Sequence, residues 1–251
     1  MTSSLLMPRG RAREGTAEAT GSTAPTRILD WQHPRVTALL GRIDLPDTAD
    51  PAHQSAALRQ AHQWITENVR PVYSVQDERP VSQVLSRGRG SCSQRLAVLE
   101  SVARASGVAT RVRGLLVDGS FWYPRFPRLR GLVPHQVVLA WPEFHLDAPS
   151  PWLTVSELFG DLDELSHHGG GGFTNAGPET LFEALSRTAV DWDGAAACPS
   201  NGAACDLSAH VLADLGHFDS RDALFARHGQ TLCGPARLLA EPVLGRRSAG
   251  A

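Results

Sequence analysis

Apolar residues recur with a helical period in two long stretches of the chain. The first runs through residues 52–69, and Pro71 ends it. The second opens at Ser91, which can cap a helix, and Gln94 three residues later completes a capping box. Gly107 provides the stop signal at its end. The pattern therefore predicts two amphipathic helices, each with one face in the core.

Apolar residues that alternate with a period of two predict a sheet. The three candidate strands are residues 108–117, 133–141 and 144–148. The last two are joined so tightly around Pro142 and Glu143 that we expect them to form an antiparallel hairpin centred on Trp141.

The two ends of the chain give weaker patterns. Beyond residue 150 the sequence predicts only short helices, at residues 154–165, 178–188, 207–215, 221–228 and 234–239. Residues 1–27 are rich in Ser, Thr, Ala, Gly and Pro and show no period, so we expect a disordered tail there.

The composition argues against several classes of function. A net charge of −2 predicts neither a nucleic-acid partner nor an anionic membrane partner. No apolar run approaches the length of a membrane span, and the apolar start of the chain is too short for a signal peptide. We therefore expect a cytoplasmic protein, whose oligomeric state the sequence does not indicate.

The cysteines do not form a recognisable disulfide or metal-binding pattern. Without a secretory signal, Cys198, Cys205 and Cys233 are expected to carry free thiols. Together with His210 and His217 they match no zinc-binding spacing, and no phosphate-binding glycine loop occurs. The sequence thus predicts neither a metal nor another cofactor.

Cys92 is the strongest candidate for chemistry. It follows Ser91 directly, so it lies in the first turn of the predicted helix, where the helix dipole and unpaired N–H groups favour a thiolate. The same N–H groups can stabilise an oxyanion. Gly88 and Gly90 leave room for a substrate to approach the backbone. We therefore interpret Cys92 as a nucleophile.

A base for this nucleophile is predicted from the hairpin. In its register His135 lies directly opposite Asp147, with Cβ atoms about 5 Å apart. A carboxylate at that distance can accept the imidazole N–H and fix its tautomer. His145 is an alternative base, because it lies two residues from Asp147 on the same face of its strand. We favour His135, since cross-strand pairing orients a base better.

The loop at residues 118–132 combines aromatic residues with arginines. Its candidate substrate-binding residues are Trp122, Tyr123, Arg125 and Arg128. They could hold an apolar acyl chain and a carboxylate or phosphate, or they could form an ordinary surface loop. Tyr73 and Gln76, in the connector before Cys92, are candidates for a second oxyanion donor.

Several segments together resemble the transglutaminase-like superfamily. They are residues 61–73 (AHQWITENVRPVY), 86–97 (SRGRGSCSQRLA), 104–114 (RASGVATRVRG), 134–141 (PHQVVLAW) and 144–150 (FHLDAPS). The chain order Cys92, His135, Asp147 is also that of the family. The residues after His135 are Gln-Val-Val where the family has an aromatic pair. Arylamine acetyltransferases share the same triad logic, but the segment at 104–111 fits the transglutaminase-like pattern better.

The resemblance implies an α+β, papain-like fold in which the helix of Cys92 packs on an antiparallel sheet. It also implies an acyl-enzyme intermediate and no catalytic metal. The expected organisation is a tail at 1–27, a transglutaminase-like catalytic domain with N-terminal helices at 28–165, a helical C-terminal extension at 166–240 and a tail at 241–251.

The function that follows is a thiol-dependent acyltransferase that forms an amide or related bond, with a place in a biosynthetic pathway. Its donor would be a thioester, a peptide or an acyl group bound to a carrier protein, and its acceptor an amine or water. A cysteine peptidase or amidase is the first alternative. A catalytically silent binding module with the same fold is the second, because fold resemblance does not choose the activity.

Overall fold

The computed structural model of the chain describes residues 19–43, 50–147, 150–167, 172–196 and 205–249. Its α-helices are α1 (Pro34–Leu40), α2 (Pro51–Asn68), α3 (Val81–Arg87), α4 (Cys92–Ala105), α5 (Leu162–His167), α6 (Leu181–Ala184), α7 (Arg221–His228) and α8 (Gly234–Leu244). Its strands are β1 (Arg70–Pro71), β2 (Arg89–Gly90), β3 (Ala109–Asp118), β4 (Gln136–His145), β5 (Leu153–Thr154) and β6 (Val211–Phe218).

An antiparallel sheet and a buried helix form the centre of the molecule. The sheet has four strands in the order β5-β4-β3-β6, and a separate parallel pair joins β1 to β2 just before α4. Helix α4 contacts both central strands and is surrounded by α2, α3 and α6. The predicted α+β class, with the helix of Cys92 packed on an antiparallel sheet, is confirmed.

Both predicted amphipathic helices are present. Helix α4 begins with the expected capping box: the Ser91 hydroxyl accepts the Gln94 N–H at 3.3 Å, and the Gln94 side chain accepts the Ser91 N–H at 3.1 Å. From Gln94 to Arg104 every residue of α4 is buried. Burial of each large apolar side chain stabilises the fold by about 1.5–3 kcal/mol, so α4 is anchored from all sides.

The predicted hairpin around Trp141 is wrong. Residues 136–145 form the single strand β4, which pairs along its whole length with β3, from Asp118 opposite Gln136 to Ala109 opposite His145. Pro142 does not interrupt this ladder. Its carbonyl accepts the Val155 N–H, so the position of its missing N–H lies on the edge away from β3. A proline that looked like a turn signal therefore costs the central pair no hydrogen bond.

The C-terminal part of the chain is not purely helical, in contrast to the prediction for residues 166–240. Residues 211–218, assigned mostly to a helix, form edge strand β6 against β3. Helix α7 is confirmed. The helices expected at 154–165 and 178–188 shrink to α5 and α6. Pairing with a distant strand outweighs the weak local helix preference.

Parts of the predicted tails are packed onto the domain. Ser22 forms a bridge with Thr110, and the Gly21 N–H donates to Asp219 at 2.9 Å. Near the C-terminus Ser248 bridges to Val72. Residues 1–18 of the predicted N-terminal tail lie outside the described residues.

The cysteines depart from expectation at one position. Cys92 and Cys233 are free, but Cys205 is disulfide-bonded, so its prediction as a free thiol is wrong. Cys198 lies outside the described residues. Main-chain hydrogen bonds join Asp191 to Cys205 and Leu207, which draws the ends of the 192–204 segment together and buries Cys205. The spacing of the cysteines in the sequence did not indicate that these two chain segments come together.

In the described part of the chain, no helix has the length and apolar character that crossing a bilayer requires.

Candidate active site

Cys92 is the first residue of α4 and follows strand β2 after the single residue Ser91. Gly90 ends β2, and a Cβ atom there would lie 3.0 Å from a Val84 methyl and 3.2 Å from the Gln94 side-chain oxygen. A larger residue at position 90 would therefore push directly against the capping box. The start of α4, and with it the backbone position of Cys92, thus depends on the glycine at position 90.

Residues 175–183, which we call the cover segment, pack over the thiol. A backbone hydrogen bond from Phe182 reaches the Cys92 sulfur. At the start of the segment, Arg125 donates to the side chain of Asn175 at 2.8 Å and to the carbonyls of Gly177 and Glu179. Cys92, which is partly buried, is thus covered on one side by a segment that Arg125 holds in place.

Partial burial makes the thiol a poor nucleophile in this conformation. Burial raises the pKa of the Cys92 thiol to about 11, although the Arg95 charge and the Phe182 hydrogen bond act to lower it. At pH 8 about one molecule in a thousand would carry a thiolate. The closed arrangement therefore keeps Cys92 protonated.

Arg95 lies one helical turn from Cys92 on the same face of α4 and is fully buried. One guanidinium nitrogen donates to Thr180 at 3.2 Å and Glu183 at 3.3 Å, and the group stacks 4.4 Å from the centre of the Phe182 ring. Within the described residues, its Nε and Nη2 have no hydrogen-bond partner. A buried cation with two unused donors favours a thiolate once water reaches the sulfur.

His62 contacts the same residue, Phe182, and was not considered as a site residue from sequence. Its Nε2 lies 2.6 Å from the Phe182 carbonyl, and its ring stacks on the Phe182 ring at 4.3 Å. Burial lowers the pKa of His62 to about 4, so the imidazole is neutral at physiological pH. A histidine on the buried face of α2, between Ala61 and Ile65, was the available signal.

The predicted pair of His135 and Asp147 does not form. His135 is exposed just before β4, and Asp147 is exposed just beyond its other end. The ten residues of β4 separate them by about 30 Å. The expected hydrogen bond between imidazole and carboxylate is therefore wrong, because it depended on the hairpin.

Arg221 links the first turn of α4 to strand β4. Its guanidinium donates to Ser93, next to Cys92, at 3.0 Å and to the Ala140 carbonyl at 3.3 Å. His135 and His145 each lie five residues from Ala140, or about 16 Å along the strand. Arg221 thus ties the first turn of α4 to the middle of β4, five residues from either histidine.

His145 has partners of its own at the far end of β4. Its Nε2 lies 3.1 Å from the Ser150 carbonyl, and its ring stacks on Trp152. Among the described residues, the charges that act on the Cys92 thiol come from Arg95, Glu183 and Arg125. Within the part of the chain that the structure describes, the site thus combines a thiol with two cations and a carboxylate, and the imidazole of His62 contacts Phe182.

The other predicted site residues are divided between two places. Arg125 is brought to the cover segment and acts electrostatically on Cys92. Arg128 lines a surface cavity, whereas Trp122 packs edge-on against Phe121. Tyr123 lies 5.8 Å from the Arg130 guanidinium.

The two oxyanion candidates lie in the connector beside α4. The Gln76 carbonyl accepts a hydrogen bond from the Gln94 side chain at 2.7 Å, which ties the connector to the first turn of α4. Tyr73 packs against Phe126 at 4.7 Å, and burial raises the pKa of its phenol. Gln76 thus contacts the helix start through its backbone, and Tyr73 faces the loop that follows β3.

The cover segment can be tested by chemical labelling. We expect Arg125→Ala to raise the alkylation rate of Cys92 by iodoacetamide at pH 8 about tenfold, because loss of its bonds to residues 175–179 lets water reach the thiol and lowers its pKa. Peptide-resolved mass spectrometry separates Cys92 from the free Cys233. Arg130→Ala, in the same loop, is the control. Equal rates in parent and Arg125→Ala would show that Arg125 does not hold the cover closed.

The neutral state of His62 predicts a pH-dependent stability. Above pH 6.5 the imidazole is neutral in both folded and unfolded chains, so its environment carries no penalty. As the pH falls from 6.5 to about 4, only the unfolded chain takes up the proton, and the free energy of unfolding decreases by an amount on the order of 3 kcal/mol. Urea unfolding across this range should show a steeper loss in the parent than in His62→Gln. Parallel slopes would contradict the assignment.

Comparison with known proteins gives one match. Residues 43–156 match the model of the family described as the transglutaminase-like superfamily. No curated protein and no solved structure matches the chain. The matched region begins just before α2, contains Cys92 and the central strands β3 and β4, and ends just after β5.

Proposed function

Because residues 43–156 belong to the transglutaminase-like superfamily, whose members generally use a cysteine-based mechanism, we propose that this chain transfers acyl groups through a thioester on Cys92. The observation that carries the proposal is the pairing of a free thiol at a capped helix start with the buried cation of Arg95. A cation and a helix N-terminus supply what a thiolate needs without a histidine.

The surroundings of Cys92 favour a thioester donor over an amide donor. An amide releases an amine, which must be protonated as it leaves, so its cleavage needs a general acid such as imidazolium. A thioester releases a thiolate about as stable as that of Cys92 and needs no proton at that step. Since the described charges that act on the Cys92 thiol come from Arg95, Glu183 and Arg125, and the pair of His135 and Asp147 does not form, the proposed donor is a thioester rather than a peptide.

The proposed reaction has two balanced steps. The Cys92 thiolate attacks the thioester carbonyl, the N–H groups at the start of α4 stabilise the oxyanion, and the donor thiolate leaves. An amine in its free-base form then attacks the acyl-Cys92 carbonyl, the Cys92 thiolate leaves, and the amine proton passes to water. Water as the acceptor would give hydrolysis instead. Access to Cys92 requires the cover segment to move away from the thiol.

A second candidate function is a catalytically silent binding module. The silent module is favoured by the burial of the Cys92 thiol, which raises the pKa of that thiol to about 11. In that case the cover segment would be a permanent part of the fold, and no acyl group would reach Cys92.

Intact-mass measurement distinguishes these functions. The full chain is mixed with a neutral acyl thioester, such as an octanoyl N-acetylcysteamine ester, and separately with the matching octanoyl anilide. We expect an acyl adduct on Cys92 from the thioester alone, and its disappearance on adding an amine acceptor with amide formed in equal amount. An adduct from both donors would favour an amidase, and no adduct from a range of thioesters would favour the silent module.

A separate prediction concerns variants of His135, His145 and Asp147, the three residues that the sequence suggested as partners of Cys92. Loss of a general base costs about a hundred- to ten-thousandfold in rate. Since His135 and Asp147 are exposed beyond opposite ends of β4 and His145 stacks on Trp152, we expect His135→Ala, His145→Ala and Asp147→Asn each to acylate within about threefold of the parent rate. A hundredfold loss in His135→Ala alone would restore that histidine as the base and contradict the closed geometry.

A further inference from the structure

A cavity of about 500 Å³ opens beside the loop that follows β3. Its lining consists of Phe126, Pro127, Arg128, Leu129 and Arg247. The volume falls in the range of small-molecule and cofactor sites. Apolar side chains thus supply most of the wall, and two guanidinium groups supply its charge.

The two cations of this cavity differ from two other arginines that pair with carboxylates, Arg79 with Glu241 and Arg111 with Glu143. Arg128 and Arg247 are exposed, and across the described ranges neither has a carboxylate within 4.0 Å. Arg247 instead lies 5.5 Å from the centre of the Phe126 ring. Two unpaired guanidiniums beside apolar side chains form a site for an anion that also carries apolar atoms.

The inner wall of the cavity adjoins the surroundings of Cys92. Tyr73 packs its ring against Phe126, and its N–H donates to the Arg247 carbonyl at 3.3 Å. Arg125, which precedes Phe126 in the chain, acts electrostatically on both Tyr73 and Cys92. An extended ligand anchored at the cavity would therefore point along Tyr73 and Arg125 towards the thiol.

We propose that this cavity binds the phosphopantetheine arm of a thioester donor, with Arg128 and Arg247 on its phosphate and Phe126 and Leu129 on its alkyl portion. The proposal rests on the proposed function, because it names the class of thioester that delivers the acyl group to Cys92. Guanidinium groups bind phosphate through paired charge-assisted hydrogen bonds. The arm occurs both in coenzyme A and on carrier proteins, and the phosphate chemistry is common to both.

Binding of the arm without chemistry tests the site. Isothermal titration of full-length Cys92→Ala with 4′-phosphopantetheine and with pantetheine, which lacks the phosphate, compares the two ligands directly. We expect the phosphorylated form to bind at least about tenfold more tightly. Arg128→Ala and Arg247→Ala should each remove most of that difference. Arg130→Ala, an exposed arginine of the same loop outside the cavity lining, should leave it unchanged.

The possible results of this titration test the cavity as a binding site separately from the proposed acyl transfer. Equal affinities for the two ligands, or a phosphate preference that survives both arginine variants, would overturn the cavity as the binding site even if Cys92 is acylated. Phosphate-dependent binding that needs both arginines, in a chain that never forms the adduct, would support the site and remove the proposed function. Coenzyme A that binds as tightly as phosphopantetheine supports a free coenzyme donor, whereas much weaker binding supports an arm on a carrier protein.

Discussion

Replacement of Cys92 by alanine is expected to abolish acyl transfer while the domain remains folded. The side chain lies at the first turn of α4, whose capping box involves Ser91 and Gln94 and not the thiol. Loss of the nucleophile removes the acyl-enzyme altogether, so we expect a decrease of at least about a thousandfold. The decrease is measured as the initial rate of thioester consumption above the uncatalysed rate, and circular dichroism reports the fold.

Cys92→Ser separates a thiol from a hydroxyl at the same position. A serine hydroxyl ionises only with the help of a strong neighbouring base, and the His62 imidazole, which contacts Phe182, is a weak base because burial lowers its pKa to about 4. We therefore expect Cys92→Ser to be as inactive as Cys92→Ala. Substantial activity in Cys92→Ser would reveal a base that the closed arrangement keeps away from the sulfur. Parental activity in Cys92→Ala would remove Cys92 from the mechanism.

Arg221→Met is expected to cause the largest loss of stability. The Arg221 and Glu100 side chains are both completely buried, and Arg221 donates to Glu100, Ser93 and the Ala140 carbonyl. Removing one partner of a buried ion pair costs about 3–5 kcal/mol, because the other charge stays in a medium of low polarity. Burial already raises the pKa of Glu100, and Arg221 opposes that increase. The loss is measured by urea unfolding at pH 7 and should lower Tm by roughly 10 °C.

A double variant supplies the control for this pair. Glu100→Leu in the Arg221→Met background removes the stranded carboxyl, so the double variant should be more stable than Arg221→Met alone. If both single changes cost less than about 1 kcal/mol, the ion pair does not anchor α7 to α4. The result also bears on the candidate active site, because Arg221 donates hydrogen bonds both to Ser93 in the first turn of α4 and to the Ala140 carbonyl in β4.

The arrangement of the candidate active site depends on whether residues 136–145 form one strand or turn back as a hairpin at Trp141. A hairpin at Trp141 would have paired His135 with Asp147 and completed a triad. The continuous strand instead carries these residues to opposite ends and leaves Leu139 beside α4. The loss of this pair is one reason why we propose a thioester donor, whose leaving group needs no proton donor.

The sequence by itself determined the features that depend on neighbours within a few residues. The capping box of Ser91 and Gln94, the helices at Pro51–Asn68 and Cys92–Ala105 and the place of Cys92 in the first helical turn all follow from hydrogen bonds and apolar spacing inside one short segment. The α+β class came from the resemblance to the transglutaminase-like superfamily, and the structure confirms it.

Only the tertiary structure decided the contacts between distant segments. Strand β6 pairs with β3 across about a hundred residues, the cover segment reaches Cys92 from a similar distance, and the chain closure at Asp191 buries Cys205. A two-residue period predicts which residues share each face of a strand. It does not predict which other strand pairs with it, or at which residue the chain turns. Pro142 illustrates the reason: the same residue ends a strand or sits within it, depending on which edge of the sheet its missing N–H faces.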